Sequence, residues 1–228
     1  IMPLVLGLTT VLMDPFMWTL RPGMLFEAIV KYDGRLVWLP NFAFDHLCRT
    51  AGRGEPAADL SSVRAFINCS EPSKLETFAR FAKTFSAWGI RPDQLQVCYA
   101  LAENVFGVTQ TPLGREPLGA PVPSGEHLKV RPIASVGRLI PGVELCIFNQ
   151  NKRLLGEEQV GEIAIRGDSL FKEYFMLPDL TSERINNGFF YTRDLGFLKN
   201  GELFIIGRCD DLIIANGRNH YAHDLEAV

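Results

Sequence analysis

Apolar positions in the first half of the chain recur with the periods of strands and helices in turn. The apolar run from Val63 to Asn68 predicts a short buried strand, and Leu95 to Cys98 predicts the next one. Ser73 and Glu76 predict a capping box for a helix between these strands. Its apolar stripe has three- and four-residue spacing and consists of Leu75, Phe78, Ala79, Ala82, Phe85 and Trp88. Strands and helices in alternation are typical of a doubly wound α/β sheet.

The pattern changes after a segment rich in proline, glycine and charge. This segment, Thr111 to Pro132, has little periodicity and is interpreted as a long loop or insertion. Short alternating runs follow, separated by turn dipeptides such as Asn200-Gly201. They predict strands at Val143 to Ile147, Ile163 to Ile165, Leu203 to Ile206 and Leu212 to Ala215. We therefore expect a β-rich, barrel-like subdomain between residues 136 and 208.

Composition narrows the class of protein. The 228 residues are 47% hydrophobic and 21% charged, as in an ordinary globular chain with a packed core. A net charge of −3 gives no basic footprint, so nucleic acid is not an expected partner. The five cysteines are odd in number and form no C-x-x-C pair, which argues against a disulfide framework or a zinc site. Reduced thiols and a cytoplasmic location are the expectation.

The apolar opening, Ile1 to Met13, does not have the pattern of a membrane segment. It contains Pro3 and Gly7 and is shorter than the roughly 20 residues of a spanning helix. It also lacks the basic start of a signal peptide. We therefore predict no transmembrane segment and interpret the opening as a helix and strand of the core. Because residue 1 is Ile, we expect the chain to begin inside a longer protein.

Two short polar segments follow the two predicted strands of the first half. Ser70-Glu71-Pro72 comes after one strand, and Tyr99 to Glu103 after the next. The carboxyl ends of neighbouring strands form the edge at which open α/β sheets bind ligands. The Glu103 carboxylate offers Mg²⁺ a hard oxygen ligand. The alternative is that Ser70 and Glu71 only start a helix.

Two further polar segments lie in the β-rich half, at Tyr191 to Gly196 and at Gly207 to Leu212. Within them, the Asp194 carboxylate is suited to accept both hydroxyls of a ribose. The Arg208 guanidinium is suited to contact ribose or phosphate oxygens. A surface salt bridge between these two residues is the alternative, and the residues alone leave both open.

The order of these segments along the chain resembles the adenylate-forming superfamily of acyl-CoA synthetases, fatty acyl-AMP ligases and peptide-synthetase adenylation domains. Five motifs match in order, and together they extend over most of the chain. They are Ser70-Glu71-Pro72 with the adenine-loop motif G-A-E-P, Tyr99 to Glu103 with Y-G-x-[TA]-E, Gly161 to Gly167 with G-E-I-x-x-x-G, Phe190 to Gly196 with W-x-x-T-G-D-x-G, and Gly207 to Ile213 with G-R-x-[KD]-D-x-I.

Within the superfamily, three segments look most like the fatty acyl-AMP ligase branch. They are Pro40 to Phe44, Gly217 to Tyr221 and Asp224 to Glu226. The resemblance implies ATP-dependent activation of a carboxylic acid, in this branch a fatty acid, to acyl-AMP. The acyl group would then pass to the phosphopantetheine thiol of an acyl carrier protein or to the thiol of CoA. ATP or AMP and Mg²⁺ are the implied cofactors.

The same resemblance implies roles for individual residues. Glu103 would bind Mg²⁺, and Asp194 and Arg208 would hold the ribose. Asp210 falls on the hinge position, about which a small C-terminal domain rotates. The nucleotide would be framed by Ser70, Glu71, Pro72, Cys98, Tyr99, Ala100, Leu101 and Ala102.

The implied domains are residues 1–110, part of the nucleotide- and acyl-binding subdomain; 111–135, a loop or insertion; 136–208, the β-rich subdomain; and 209–228, the hinge and start of the C-terminal domain.

The chain departs from the superfamily pattern in four places. Ala100 and Arg193 stand where the motifs have glycine, and neither a Ser/Thr/Gly-rich phosphate loop nor a C-terminal catalytic lysine motif is found. We therefore expect this chain alone to be inactive as an acyl-AMP synthetase. The alternative is a non-catalytic scaffold or sensor that binds a nucleotide or acyl-adenylate. A NAD-dependent dehydrogenase is excluded because no G-x-G-x-x-G follows a predicted strand.

Overall fold

The computed structural model describes residues 2–50, 58–70, 73–123, 132–215 and 218–221. The helices in these ranges are α1 (Met2–Val5), α2 (Pro15–Leu20), α3 (Met24–Tyr32), α4 (Asn41–Thr50), α5 (Leu75–Thr84) and α6 (Pro178–Arg184). The strands are β1 (Leu36–Leu39), β2 (Ala65–Asn68), β3 (Leu95–Ala100), β4 (Gly107–Gln110), β5 (Gly119–Ala120), β6 (Ile133–Ala134), β7 (Arg138–Leu139), β8 (Val143–Phe148), β9 (Gly161–Gly167), β10 (Ile185–Asn186), β11 (Phe189–Lys199), β12 (Glu202–Arg208), β13 (Leu212–Ala215) and β14 (Arg218–Tyr221).

The first half forms a five-stranded sheet in the order β1-β2-β3-β4-β7. Strands β1, β2 and β3 are parallel, whereas β4 and β7 add antiparallel pairs at one side. All four residues of β2 are buried, as expected of a strand covered on both faces. The structure confirms the predicted α/β class and the two predicted strands, β2 and β3.

Helices α4 and α5 pack together through aromatic side chains. Phe44 is fully buried, with its ring centroid 5.3 Å from that of Phe78 and 5.0 Å from that of Phe81. The predicted helical stripe is confirmed in part, because Phe78 and Ala82 are buried on α5. Ala79 is exposed, and Phe85 and Trp88 are buried but follow the end of the helix at Thr84. The predicted capping box is wrong, because α5 begins at Leu75 and its N-cap is Lys74, which makes no side-chain capping bond. Ser73 lies one residue too early to cap the helix.

The second half forms an antiparallel sheet in the order β10-β11-β9-β8, with β12 paired to β11. Asn200 and Gly201 have positive φ angles of 54° and 73°, the conformation that a two-residue hairpin turn requires, and they join β11 to β12. The predicted strands in this half are confirmed. The strand predicted at Leu212 to Ala215 is β13, which pairs with β14, while the Asn216-Gly217 dipeptide between them lies outside the described residues.

The segment Ser135–Gly137 connects the two sheets. The Val136 backbone N–H donates to the Leu203 carbonyl at 2.8 Å, and the Leu203 N–H donates to the Gly137 carbonyl at 2.9 Å. The Thr109 hydroxyl donates to the Val136 carbonyl at 2.7 Å. One apolar cluster includes residues from both halves, such as Val97, Val108, Leu145 and Ile163. The halves share a core, and the division into domains stays a prediction.

The predicted loop at 111–135 has a short strand pair within the part that is described. There, Gly119 and Ala120 of β5 pair with Ala134 and Ile133 of β6.

The opening of the chain differs from its prediction as part of the core. Residues 5–12 are exposed, and no strand follows α1 before α2. Leu12 is 89% exposed and Val5 is 73% exposed. The apolar composition of this segment suggested burial, but no described element packs over it. No helix in the described ranges combines the length and apolar character needed to cross a bilayer.

Candidate functional site

Strands β2 and β3 end side by side, and each delivers predicted site residues to the same edge of the parallel sheet. Ser70 follows β2 with a left-handed backbone (φ 78°), which turns the chain sharply away from the strand. Glu71 and Pro72 lie outside the described residues. Cys98, Tyr99 and Ala100 belong to β3, followed by Leu101 and by a short 3₁₀ turn, Ala102–Asn104, that contains Glu103. The described residues of the two predicted segments therefore lie at the same carboxyl edge of the parallel sheet.

Tyr99 joins this edge to the second sheet. Its phenol, buried in the core, donates a hydrogen bond to Oδ2 of Asp194. The other carboxylate oxygen of Asp194, Oδ1, lies 3.7 Å from Nε of Arg208, which is its cross-strand partner on β12. The Asp194 side chain is only 14% exposed, against 54% for Arg208. The alternative of a simple surface salt bridge therefore does not describe Asp194, which is mostly buried and bonded to the other half of the molecule.

A bulge in β11 places Asp194. Tyr191 pairs with Ala164 of β9 and Leu195 pairs with Glu162, so three residues of β11 stand opposite a single residue of β9. Within the bulge, the Asp194 N–H donates to the Thr192 hydroxyl at 3.0 Å. The Thr192 hydroxyl in turn donates to the Ile163 carbonyl at 2.8 Å. These bonds fix the carboxylate at the junction of the sheets.

The surroundings of Asp194 act on its charge in opposite directions. Burial raises the pKa of its carboxyl, while the hydrogen bond from Tyr99 and the charge of Arg208 lower it; the net shift is upward. The charge of Glu103 adds to the upward shift of this pKa. The pKa of Tyr99 is raised well above its usual value by burial and by Asp194, which keeps the phenol protonated as a donor.

Glu103 is held by a loop that sequence reasoning did not single out. The Tyr174 hydroxyl donates to Glu103 Oε1 at 2.8 Å, and the Phe171 N–H donates to the Glu103 carbonyl at 2.7 Å. Ser169 donates to Asn104 Oδ1 at 2.9 Å beside them. Burial, followed by the bond to Glu103, raises the pKa of Tyr174 to about 12. Because no motif around Tyr174 signals this contact, only the fold reveals it.

Arg193 occupies the glycine position of the T-G-D motif and adopts a left-handed backbone, with φ 67°. Its guanidinium pairs with Asp210, with Nε 3.5 Å from Oδ2. This contact raises the pKa of Arg193 and lowers that of Asp210. The backbone N–H of Arg193 donates to Glu162 Oε1 at 3.0 Å. The side chain is therefore directed toward the predicted hinge residue, and Arg193 is not a partner of Asp194.

Ala100 also stands where the superfamily motif has glycine. It is the last residue of β3, where the pairing with β4 shifts register after Tyr99, and its methyl packs beside the small apolar cluster that contains Cys69 and Cys98. Since its backbone is not left-handed, alanine fits this position without conformational strain.

A fold built in this way, with Tyr99, Glu103, Asp194 and Arg208 at the meeting of two sheets, was compared with known proteins. The AMP-binding enzyme family matches residues 1–175, and the chain belongs to this family. Among curated relatives, it is 34% identical to the medium-chain-fatty-acid–[acyl-carrier-protein] ligase JamA of Moorena producens, over 99% of this chain and 42% of that protein. It is 31% identical to the long-chain-fatty-acid–AMP ligase FadD32 of Mycolicibacterium smegmatis, over 94% of this chain and 40% of that protein.

Solved structures of fatty acyl-adenylate ligases are also similar to this chain. A chain from a study of fatty acyl-adenylate ligases from E. coli and L. pneumophila has a TM-score of 0.83 and 28% identity, over 92% of this chain and 40% of that one. The L. pneumophila fatty acyl-adenylate ligase in complex with acyl adenylate and pyrophosphate has a TM-score of 0.81 and 30% identity, over 97% and 42%. The chain thus spans about two fifths of the length of these relatives.

Proposed function

We propose that the protein to which this chain belongs uses ATP to activate a fatty acid as acyl-AMP. The observation that carries the proposal is the bond between Tyr99 and Asp194, because it unites two separate motifs of the resemblance at one sheet edge. The relatives named above are fatty-acid ligases, which supports a fatty acid as the substrate. The JamA relative is an acyl-carrier-protein ligase, so we propose a carrier-protein thiol as the acceptor in preference to CoA.

In this proposal each side chain has a distinct task. Asp194 and Arg208 hold the ribose, and Tyr99 orients the Asp194 carboxylate while its ring lies beside the base. Ser70, Glu71, Pro72, Cys98, Ala100, Leu101 and Ala102 frame the nucleotide. Both reactants are anions, so binding them in the right relative position supplies much of the rate enhancement. Asp210 acts as the hinge, with Arg193 as its ion-pair partner.

Glu103 offers an oxygen ligand of the kind that Mg²⁺ prefers. The ion is usually bound by one or two protein carboxylates together with substrate phosphates, and half-buried Glu103, fixed by Tyr174, fits that pattern. Within the described ranges there is no group of three or more His, Cys, Asp or Glu residues that could hold a metal ion by itself. When bound with the nucleotide, the ion would neutralise phosphate charge.

The scaffold alternative rested partly on Arg193. Because its guanidinium pairs with Asp210, Arg193 at the glycine position of the motif does not by itself argue against ribose binding. We retain the proposal that the 228-residue chain alone does not form acyl-AMP, since it contains no phosphate loop and no catalytic lysine motif.

The test is fatty-acid-dependent exchange of labelled pyrophosphate into ATP by the full-length protein. We expect exchange above background with fatty acid, loss of exchange in the Asp194→Ala variant, and no exchange by the 228-residue chain. Acyl transfer is then measured by mass spectrometry with a phosphopantetheinylated carrier protein and with CoA in parallel. Absence of exchange in a full-length protein that still binds AMP would instead support the scaffold.

A further inference from the structure

The motif Gly161 to Gly167 is one of the five that carry the resemblance, yet none of its residues has a task in the proposed function. Its glutamate, Glu162, lies in β9, the strand between β8 and β11. Glu162 pairs with Phe148 on one side and with Leu195 on the other. Strand pairing uses only its backbone, so the half-buried side chain is free for another role.

The side chain of Glu162 bonds to the bulge that places Asp194. Its Oε1 accepts a hydrogen bond from the backbone N–H of Arg193 at 3.0 Å. Arg193 is the middle one of three β11 residues that stand opposite a single residue of β9, and such extra residues are left out of the ladder. The carbonyl of Arg193 accepts from the Cys209 N–H at 2.7 Å. Glu162 therefore satisfies a backbone donor that the regular sheet leaves unpaired.

Two side chains thus replace the ladder at the bulge. Thr192 bonds to the Ile163 carbonyl at 2.8 Å and to the Asp194 N–H at 3.0 Å, and Glu162 holds the residue between Thr192 and Asp194. Arg193 has a left-handed backbone, with φ 67°, which is unfavourable for a residue with a Cβ and persists only when its surroundings hold it. Without an acceptor at Glu162, that restraint on the residue preceding Asp194 is lost.

We propose that Glu162 is a positioning residue, which fixes the bulge of β11 so that the Asp194 carboxylate is presented to the ribose hydroxyls of the nucleotide. Glu162 does not itself contact the ligand, and it acts through the backbone of Arg193. The inference rests on the proposed ribose-binding role of Asp194. Since the task of Glu162 is to accept a hydrogen bond, its amide counterpart, glutamine, is able to perform it.

The test compares two ligands in the full-length protein by calorimetric titration. One is a non-hydrolysable acyl-AMP analogue, and the other is its 2′,3′-dideoxy counterpart, which lacks the ribose hydroxyls. Each hydrogen bond to a charged group corresponds to about tenfold to a hundredfold in affinity, so the wild type should prefer the ribose form. Glu162→Leu has a side chain of comparable size and no acceptor, and it should reduce this preference by about tenfold. Its affinity for the dideoxy form should be unchanged.

Two further variants control for charge and for loss of a carboxylate. Glu162→Gln keeps the acceptor and should keep the wild-type preference for ribose. Glu144→Leu removes a carboxylate from the neighbouring strand β8, where its partner is Arg166, and should behave as wild type. The proposal is overturned if Glu162→Leu keeps the ribose preference or weakens both ligands equally. It is also overturned if Glu162→Gln is as poor as Glu162→Leu, because charge and not bond acceptance would then be responsible.

Amide hydrogen exchange without ligand separates this inference from the proposed function. Mass spectrometry with residue-level fragmentation should show slow exchange at Arg193 and Asp194 in the wild type and in Glu162→Gln, and faster exchange at both in Glu162→Leu. If exchange follows this order but the wild type has no preference for ribose, the ribose role of Asp194 fails and the positioning of the bulge by Glu162 stands. If Glu162→Leu is unfolded by circular dichroism, unprotected exchange at Arg193 in the wild type would still refute the proposal.

Discussion

The two halves of the candidate site are placed by different devices. Tyr99 and Glu103 come from the end of a buried parallel strand, where the chain must turn and side chains are released at the sheet edge. Asp194 lies in the middle of an eleven-residue strand and reaches the site only because that strand is bulged. Placing Tyr99 and Glu103 therefore requires only the correct order of strands in the sheet. Placing Asp194 also requires local hydrogen bonds that hold the irregular backbone of the bulge.

We expect the largest loss of stability from adding a single Cβ atom at the junction between the halves. Gly137 has φ 92°, and a Cβ there would lie 2.1 Å from the backbone carbon of Gln110. Gly137→Ala adds backbone strain of about 1 kcal/mol to an overpacking cost of about 1–3 kcal/mol. We therefore expect urea denaturation to show a loss of about 2–4 kcal/mol in the free energy of unfolding.

Gly142→Ala is the matched control for that measurement. Gly142 has a similar φ of 87°, but no heavy atom lies within 4 Å of the added Cβ. Gly142→Ala should therefore be destabilised only by backbone strain, by about 1 kcal/mol. Equal losses in the two variants would mean that the halves can move apart at Gly137 without cost, and that the junction is looser than its hydrogen bonds indicate.

The Asp194 carboxylate should dominate ligand binding from the β-rich half. Hydrogen bonds to a charged group contribute about 1.5–3 kcal/mol each, so Asp194→Ala should weaken binding of a non-hydrolysable acyl-AMP analogue by tens-fold or more. Asp194→Asn keeps one acceptor and should fall between Ala and wild type. Calorimetric titration of all three, in the full-length protein, measures this order. Identical affinities would remove Asp194 from the nucleotide site.

The sequence anticipated one half of this site better than the other. Strand periodicity located β2 and β3, and the general behaviour of strand ends then placed Tyr99 and Glu103 at one edge. Motif resemblance selected Asp194, but nothing in the periodicity of β11 predicted a bulge, because pairing against β9 decides it. Tyr174 was missed for the same reason. Its contact with Glu103 joins residues 71 positions apart. The exposed opening was mispredicted because apolar composition does not reveal which neighbours are present.

A third prediction concerns the bond that links the halves. Tyr99→Phe keeps the ring and removes the donor to Asp194, so the free energies lost in Tyr99→Phe and Asp194→Asn should not add. A double-mutant cycle on analogue binding should give a coupling of about 1 kcal/mol, within the range found for residues in contact. Thr109→Val, which breaks a different bond between the halves, is the control. Strict additivity of Tyr99→Phe with Asp194→Asn would argue that the two sides act independently.

A fourth prediction separates strain from ion pairing at Arg193. Arg193→Ala removes the pair with Asp210 and keeps a side chain at φ 67°, whereas Arg193→Gly removes both the pair and the strain. The glycine variant should therefore be more stable than the alanine variant by up to about 1 kcal/mol, as judged by thermal unfolding. The ion pair is partly exposed, with side chains 36% and 46% exposed, and adds little to stability. An alanine variant as stable as the glycine variant would show that the bulge relaxes around residue 193.

The smallest expected effect is a dependence of stability on pH at Asp194. The folded state raises the pKa of this carboxyl, so between the usual carboxyl range and the raised value the folded chain holds a proton that the unfolded chain has released. Wild-type stability relative to Asp194→Asn should therefore decline as pH rises through that window. The groups acting on Asp194 are Tyr99, Arg208, Glu103 and Asp211, and all of them are retained in the variant.

Urea midpoints of both proteins between about pH 4 and pH 8 give the difference, in which other titrations largely cancel. A difference that moves the opposite way would mean that Tyr99 and Arg208 more than offset burial. The carboxylate would then be a stabilising ion partner, and not a group held at the junction at a cost to stability.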